Sequence, residues 1–225
     1  KTNIIGRENI SPNLVLGLII SFSLIAILLG LYLVAKVGLP VLWMGLFCFM
    51  VGYLYSFGPH PISSLPLGEL FSGFTMGFMI VLLSVYINSF QAFDWNWITI
   101  GRIFLLALAD KLWISNLMLA NNLCDAQEDE DNHRTTIIHF IGKKGGLIAF
   151  SIKNVLAFLV IFLLPFLGIA PKTVWLTVII VPFVYKQNKI LIGKQVKTET
   201  FITGVKTLLV GSLTYLITYF LGILF

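Results

Sequence analysis

Charge is scarce in this chain. Of its 225 residues only 11% are Asp, Glu, Lys or Arg, the acids number ten, and hydrophobic residues make up 58%. A soluble globular domain, in which about a quarter of residues are charged, is excluded. Two cysteines, Cys48 in an apolar run and Cys124 beside a polar one, are too few and too differently placed for a disulfide framework or a thiolate zinc site. No strict apolar/polar alternation marks β-barrel strands, and no internal repeat or low-complexity segment is present. The run after Lys1 to Pro12 is too long for the h-region of a cleavable signal peptide. The net charge of +5 does not by itself point to nucleic acid, because in a membrane chain an excess of Lys and Arg reports orientation.

What is present is apolar length. Mean hydropathy is +0.95, and the long apolar runs approach the roughly 20 residues that an α-helix needs to cross a hydrocarbon core. The sequence predicts an all-α polytopic membrane protein, one domain over 1–225, with spans at 11–35, 39–57, 68–90, 97–120, 147–169, 173–192 and 203–225. Parity then sets the loops 58–67, 121–146 and 193–202 on one side, with the N-terminal segment. Lys1, Arg7, Arg134, Lys143, Lys144, Lys186, Lys189, Lys194 and Lys197 lie on or near that side, and Lys36 and Lys172 on the other. By the positive-inside rule that side is cytoplasmic, and a cell-membrane location is expected.

The scarce acid is concentrated. Asp125, Glu128, Asp129, Glu130 and Asp131 hold half of all the carboxylates. Asp125 and Asp129 stand four apart, which on a helix places them on one face a turn apart. Two such groups can share a divalent cation. Hard oxygen ligands at a membrane surface suit Mg²⁺, which takes one or two carboxylates and is completed by water and phosphate oxygens. An enzyme acting on an isoprenoid diphosphate has that need, with its hydrocarbon tail among apolar helices. Arg134, Arg7 and Lys143 can contact the same oxygens, although for each of them anchoring at the membrane surface is the competing role.

Other polar residues stay open between two readings. Glu69 follows a rigid proline-rich loop and can cap the next helix or belong to the site. Asp110 and Lys111 fall near the middle of the fourth span, where they can pair structurally or contact a substrate. Lys111, Met118, Asn122 and Asp125 share a face if that helix is continuous; Met118 there serves packing or substrate. Arg102, Lys153 and Lys206 lie close enough to span ends to snorkel. His133 is a solvated histidine or a ligand. Spans with ionisable residues inside can also describe a transporter.

The pattern Asn122-x-x-Asp125-x-x-x-Asp129, followed by Arg134-x-Thr136 and Ile141-Gly142, resembles the second aspartate-rich motif of the UbiA superfamily of intramembrane prenyltransferases. The doubled Asn121-Asn122, with Gly58-Pro59-His60-Pro61 and Pro66-Leu67-Gly68-Glu69, most resembles the branch that prenylates 1,4-dihydroxy-2-naphthoate in menaquinone synthesis. The resemblance implies a bundle of about nine helices and transfer of a polyprenyl group from polyprenyl diphosphate to an aromatic acceptor. It implies Mg²⁺ as cofactor. Asp125 and Asp129 would be catalytic, holding the metal with Asn122; Arg134, Arg7 and Lys143 would hold the diphosphate, with Thr136 in support. Tyr55, His60, Glu69 and Asn121 would meet the acceptor. The chain departs from the family in three respects, one being that His60 is the only basic residue in a loop where related enzymes often carry Arg or Lys. No first aspartate-rich motif is present, so the resemblance implies a chain that starts after the first two helices, has seven of about nine, and does not turn over alone. His133 stands where the family usually has Gly.

Overall fold

In the computed structural model, residue 8 and residues 10–224 are described. The described chain is helical throughout. Its elements are α1 (Pro12–Val37), α2 (Pro40–Ser56), α3 (Gly68–Ser89), α4 (Trp97–Cys124), the short α5 (Ala126–Asp131), α6 (Ile137–Leu163), α7 (Lys172–Gly193) and α8 (Ile202–Leu224). Six of them are long and apolar enough to span a membrane, and α2, of 17 residues, is a shorter apolar helix. At 1.5 Å per residue α2 reaches about 26 Å, at the lower limit of a span. The seven expected apolar segments are therefore all helical.

Two compact units are distinguished, Lys1–Phe47 and Cys48–Phe225. In the first, Pro12 opens α1 at a position where a missing N–H costs nothing, and Gly38, at φ 101°, closes it with its N–H on Val34 O at 2.9 Å.

The second unit is built around α4, on which α3, α6 and α8 pack. Asn96 caps α4, its Oδ1 accepting from Thr99 N at 2.8 Å. Small residues let the neighbours approach, as is usual where lipid removes the hydrophobic drive between helices. Gly211 of α8 lies flat on the Trp113 ring, where a Cβ would sit 3.0 Å from three ring carbons. Gly73 and Gly77 of α3 lie on the Lys111 backbone, a Cβ on either falling within 2.8 Å of a Lys111 main-chain atom. Both lie in a stretch, Gly73–Met79, that is wound wider as a π-helix. A polar clamp joins α4 to α6: the Asn116 amide donates to Phe150 O at 2.9 Å and to Asn154 Oδ1 at 3.0 Å.

One span departs from expectation. The segment placed at 147–169 begins at Ile137 and stops at Leu163. Its first turns carry His139, Lys143, Lys144 and three glycines, which lower hydropathy without preventing a helix, and Gly142 interrupts it at φ 67°. Leu164 is still in α geometry with its N–H on Val160 O, and Pro165, which has no N–H to continue the ladder, ends the helix. The shift carries a correction. Lys153 is not at a span end free to snorkel; it sits within α6, and its Nζ donates to Ser115 Oγ of α4 at 2.8 Å.

Candidate functional site

The three loops that parity placed together do meet. Arg134 ties 121–136 to 58–67, donating from Nη2 to Ser63 O at 2.8 Å and from Nε to Ser64 Oγ at 3.2 Å, while Thr135 N donates to Ser64 O at 2.9 Å. Lys197 ties in the third loop by an ion pair with Asp125 and a hydrogen bond to Asn121 Oδ1. Cys124 and Thr200 touch on the same flank.

The acidic motif straddles a helix end. α4 stops at Cys124 and Asp125 takes φ −94°, ψ 4°, yet Asp129 N still donates to Asp125 O at 2.8 Å. One helical turn thus carries the i, i+4 spacing across the break into α5. Each carboxylate has a cation: Asp125 has Lys197, and Asp129 has Arg134 Nη1 at 2.8 Å. Asp129 is 3% exposed, and its second oxygen is buried with no hydrogen-bond partner. Burial pushes its carboxyl above the ordinary range by more than the Arg134 guanidinium lowers it. Glu128, Glu130 and Asp131 are in α5 with it, and all three are exposed.

Other expected site residues divide. Arg134, Thr136 and Lys143 line, with Asp129, a cavity of about 300 Å³ that also receives Glu130, His139 and Gly142. Asn122 is buried, and its amide donates to Glu69 Oε1 at 2.8 Å. Asn121 instead donates to Asp125 Oδ2 at 3.0 Å. The adjacent asparagines therefore serve opposite sides, one toward the motif and one toward the bundle interior. Glu69 is in the first turn of α3, where its Oε1 is taken by the Asn122 amide. Its Oε2 is buried and unpartnered.

The four residues expected at the acceptor do not line one cavity. Glu69 faces a space of about 310 Å³ shared with Lys111, Ser115 and Lys153. Tyr55 lines another, of about 350 Å³, with Cys48, Thr75 and Met118. His60 is exposed, and Asn121 is with Lys197 and Asp125. Arg7 lies outside the described residues. Asp110 and Lys111, neighbours in sequence, open into different cavities, Asp110 into one of about 180 Å³ with Tyr215 and Tyr219.

Lys197, Ser63 and Ser64 went unassigned from sequence. Lys197 was legible only as a basic residue of the correct side, and its pairing with Asp125 spans 72 positions. The Gly73-x-x-x-Gly77 spacing was a readable signal for the close contact with Lys111.

The donor set fits Mg²⁺ in part. Two carboxylates and an orphaned buried oxygen on Asp129 suit an ion that takes few protein ligands. Among the described residues no group of three His, Cys, Asp or Glu converges to hold a metal by itself.

The chain matches the UbiA prenyltransferase family over residues 3–203. The chain belongs to that family. It is also 32% identical over 176 residues to the 1,4-dihydroxy-2-naphthoate octaprenyltransferase of Bacillus subtilis (strain 168), an alignment covering 78% of this chain and 54% of that protein. The chain thus spans about half the length of this curated UbiA relative. No solved structure matches it.

Proposed function

We propose that the full-length protein transfers a polyprenyl group from polyprenyl diphosphate to an aromatic acceptor, 1,4-dihydroxy-2-naphthoate, in menaquinone synthesis. The acceptor is the one named for the Bacillus relative. It works in the cell membrane with the acidic motif at the cytoplasmic face. The observation that carries the proposal is the corner where Asp125 and Asp129 stand one turn apart, each already held by a cation, with a buried carboxylate oxygen left over.

The residues divide the work. Asp125, Asp129 and the Asn122 carbonyl oxygen would hold Mg²⁺, which when bound supplies charge stabilisation to the departing diphosphate. Arg134, Lys143 and Lys197 would contact diphosphate oxygens, and Arg134 and Lys197 would then exchange a carboxylate partner for a phosphate one. Arg134 also fixes the 58–67 loop through Ser63 and Ser64, so binding at the motif and the position of that loop are linked. A ring carbon of the acceptor forms the new bond as the allylic C–O bond breaks, and the ring rearomatises by loss of the group on the attacked carbon.

The test is transfer from a labelled polyprenyl diphosphate by the full-length protein in membranes. The Asp125→Ala, Asp129→Ala double variant is expected to lose at least about 100-fold in rate, the scale of removing electrostatic stabilisation at a reacting centre. Transfer at the wild-type rate would remove both residues from the mechanism.

A further inference from the structure

Lys197, from the loop between α7 and α8, places an ammonium between two oxygens at the acidic motif. Its Nζ donates to Asp125 Oδ2 and to Asn121 Oδ1, and the Asn121 amide closes the triangle by donating to Asp125 Oδ2 at 3.0 Å. A carboxylate oxygen and an amide oxygen side by side are hard ligands of the kind a divalent cation takes. While the ammonium is there, both are occupied. With Arg134 on Asp129, the two carboxylates are already answered by two cations. A divalent cation arriving alone gains little from a neutralised pair, and it leaves the displaced ammonium facing a like charge.

The two cations are not equally committed. Arg134 spreads its guanidinium over Asp129, Ser63 and Ser64, so the position of the 58–67 loop depends on it. Lys197 is exposed, and its partners among the described residues are the two oxygens and the face of the Phe201 ring, whose centre lies 4.8 Å from Nζ. The turn that carries it supports itself. Thr200 N donates to Val196 O at 2.8 Å, Val196 N donates to Thr200 Oγ1 at 2.9 Å, and the Lys194 ammonium pairs with Glu199 at 2.6 Å. Thr200 is buried at the foot of the turn. The Lys197 side chain can therefore swing while its backbone stays. On leaving Asp125 it needs another anion within reach of a flexible four-carbon stem, and a phosphate oxygen is such an anion.

We infer that Lys197 is a positioning residue that makes the divalent cation and the diphosphate bind as a pair. It occupies the Asp125 and Asn121 oxygens until a phosphate group draws it off, so the motif takes the cation together with diphosphate and only weakly without it. The inference deepens the prenyl-transfer reading and rests on it for the identity of the anion.

The experiment uses the full-length protein in nanodiscs, with Mn²⁺ as the cation because it shares the oxygen preference of Mg²⁺. Bound Mn²⁺ is counted in the nanodisc fraction by electron paramagnetic resonance, against empty nanodiscs. The anion is labelled farnesyl thiolodiphosphate, whose allylic C–S bond keeps the prenyl group in place. Wild type is expected to bind Mn²⁺ at least about tenfold more tightly when the analogue is present, the size of one charge-assisted contact. Lys197→Gln is expected to shift the two affinities in opposite directions, Mn²⁺ alone about tenfold tighter and the analogue with Mn²⁺ about tenfold weaker. A merely structural role would move both the same way. Adding Asp125→Asn to Lys197→Gln should abolish the gain in Mn²⁺ affinity, and Lys194→Gln, which removes a neighbouring charge, should change neither affinity. Unchanged or weaker Mn²⁺ binding by Lys197→Gln overturns the inference, and so does a gain of equal size in Lys194→Gln, which would make bulk surface charge the cause. In either case, binding of the analogue by wild type leaves prenyl transfer standing. Wild type that binds no analogue overturns that reading and the coupling together.

Discussion

The loop corner at Asp125 and Asp129 and the interior around Lys111, Lys153 and Asp110 handle charge in opposite ways. At the corner every functional carboxylate has its own cation, Lys197 for one and Arg134 for the other. In the interior the lysines have only a hydroxyl and a ring, and one Asp110 oxygen has no partner. The corner can therefore exchange partners when a ligand arrives, at little net electrostatic cost. The interior has no partner to exchange, so its charges weigh against stability until something fills the cavity.

The largest expected effect lies in the contact that holds the interior lysine in place. At Gly77 a Cβ would fall 2.8 Å from Lys111 N and closer still to its Cα. Gly77→Ala should destabilise the protein by about 1–3 kcal/mol, the usual cost of overpacking, and shift Lys111 out of its cavity. Thermal unfolding in detergent checks the first effect and the reactivity of Lys111 toward an amine-modifying reagent the second. A variant with unchanged melting temperature and unchanged reactivity would show that α3 is free to move from α4, and the interior would then be as adaptable as the corner.

A smaller effect separates the corner by its pH response. The Asp129 carboxyl is raised by burial, so the folded chain takes up this proton more readily than an unfolded one. Its contribution to stability is present below the ordinary carboxylate value near 4 and is lost as pH rises through the raised value. Cation binding runs the other way, because a ligand must be deprotonated. Magnesium-dependent binding of polyprenyl diphosphate to the full-length protein should therefore weaken on acidification from pH 7, beginning above the ordinary carboxylate range. Asp129→Asn should lower affinity and remove this component. A profile that is flat down to pH 4 would place Asp129 outside the ion's coordination.

How far these two regions could be read from sequence differs for a physical reason. Carboxylates are so few in an apolar chain that five together announce a site, and parity with the lysine bias brought the three loops to one end without any knowledge of packing. Pairing is another matter. Lys197 reaches Asp125, and Arg134 reaches Ser63 and Ser64, across about 70 positions of chain, and no local pattern encodes a contact of that range. Lys153 was misplaced because hydropathy is blind to a helix whose first turns are polar and glycine-rich. Once α6 begins at Ile137, the same lysine moves from a membrane edge to a cavity wall. The four acceptor candidates were close in motif but project from α2, the 58–67 loop, α3 and α4, and sequence gives no means of knowing that they face different spaces.

Asp110 offers a finer test of the interior. Its Oδ1 is buried and unpartnered in a cavity with Tyr215 and Tyr219. Ser212 hydrogen-bonds the Asp110 carboxyl but no cation pairs with it among the described residues, so replacing it by a neutral isostere relieves desolvation, and Asp110→Asn should leave stability unchanged or raise it by about 1 kcal/mol. Prenyl transfer should be unaffected. A fall in melting temperature would mean that the carboxylate has a partner the size of an ion pair, and cation uptake by proteoliposomes that disappears in this variant would favour a transport role for the interior.

The smallest effect returns to the corner. His133 has φ 56°, the left-handed region, and among the described residues it is alone in that among non-glycines. It follows α5, with its N–H on Glu130 O at 3.1 Å, and turns the chain so that Arg134 N reaches Asp129 O at 2.8 Å. A non-glycine residue is strained in this backbone conformation, which serves the turn and which glycine would adopt without that cost. His133→Gly removes the strain but adds freedom to the unfolded chain, two terms of similar size and opposite sign. The net change should be a stabilisation of no more than about 0.5 kcal/mol, with diphosphate binding unaltered. If binding instead weakens severalfold at constant stability, the imidazole takes part in the corner's chemistry, and the corner then has a third ligand-facing group beyond its two answered carboxylates.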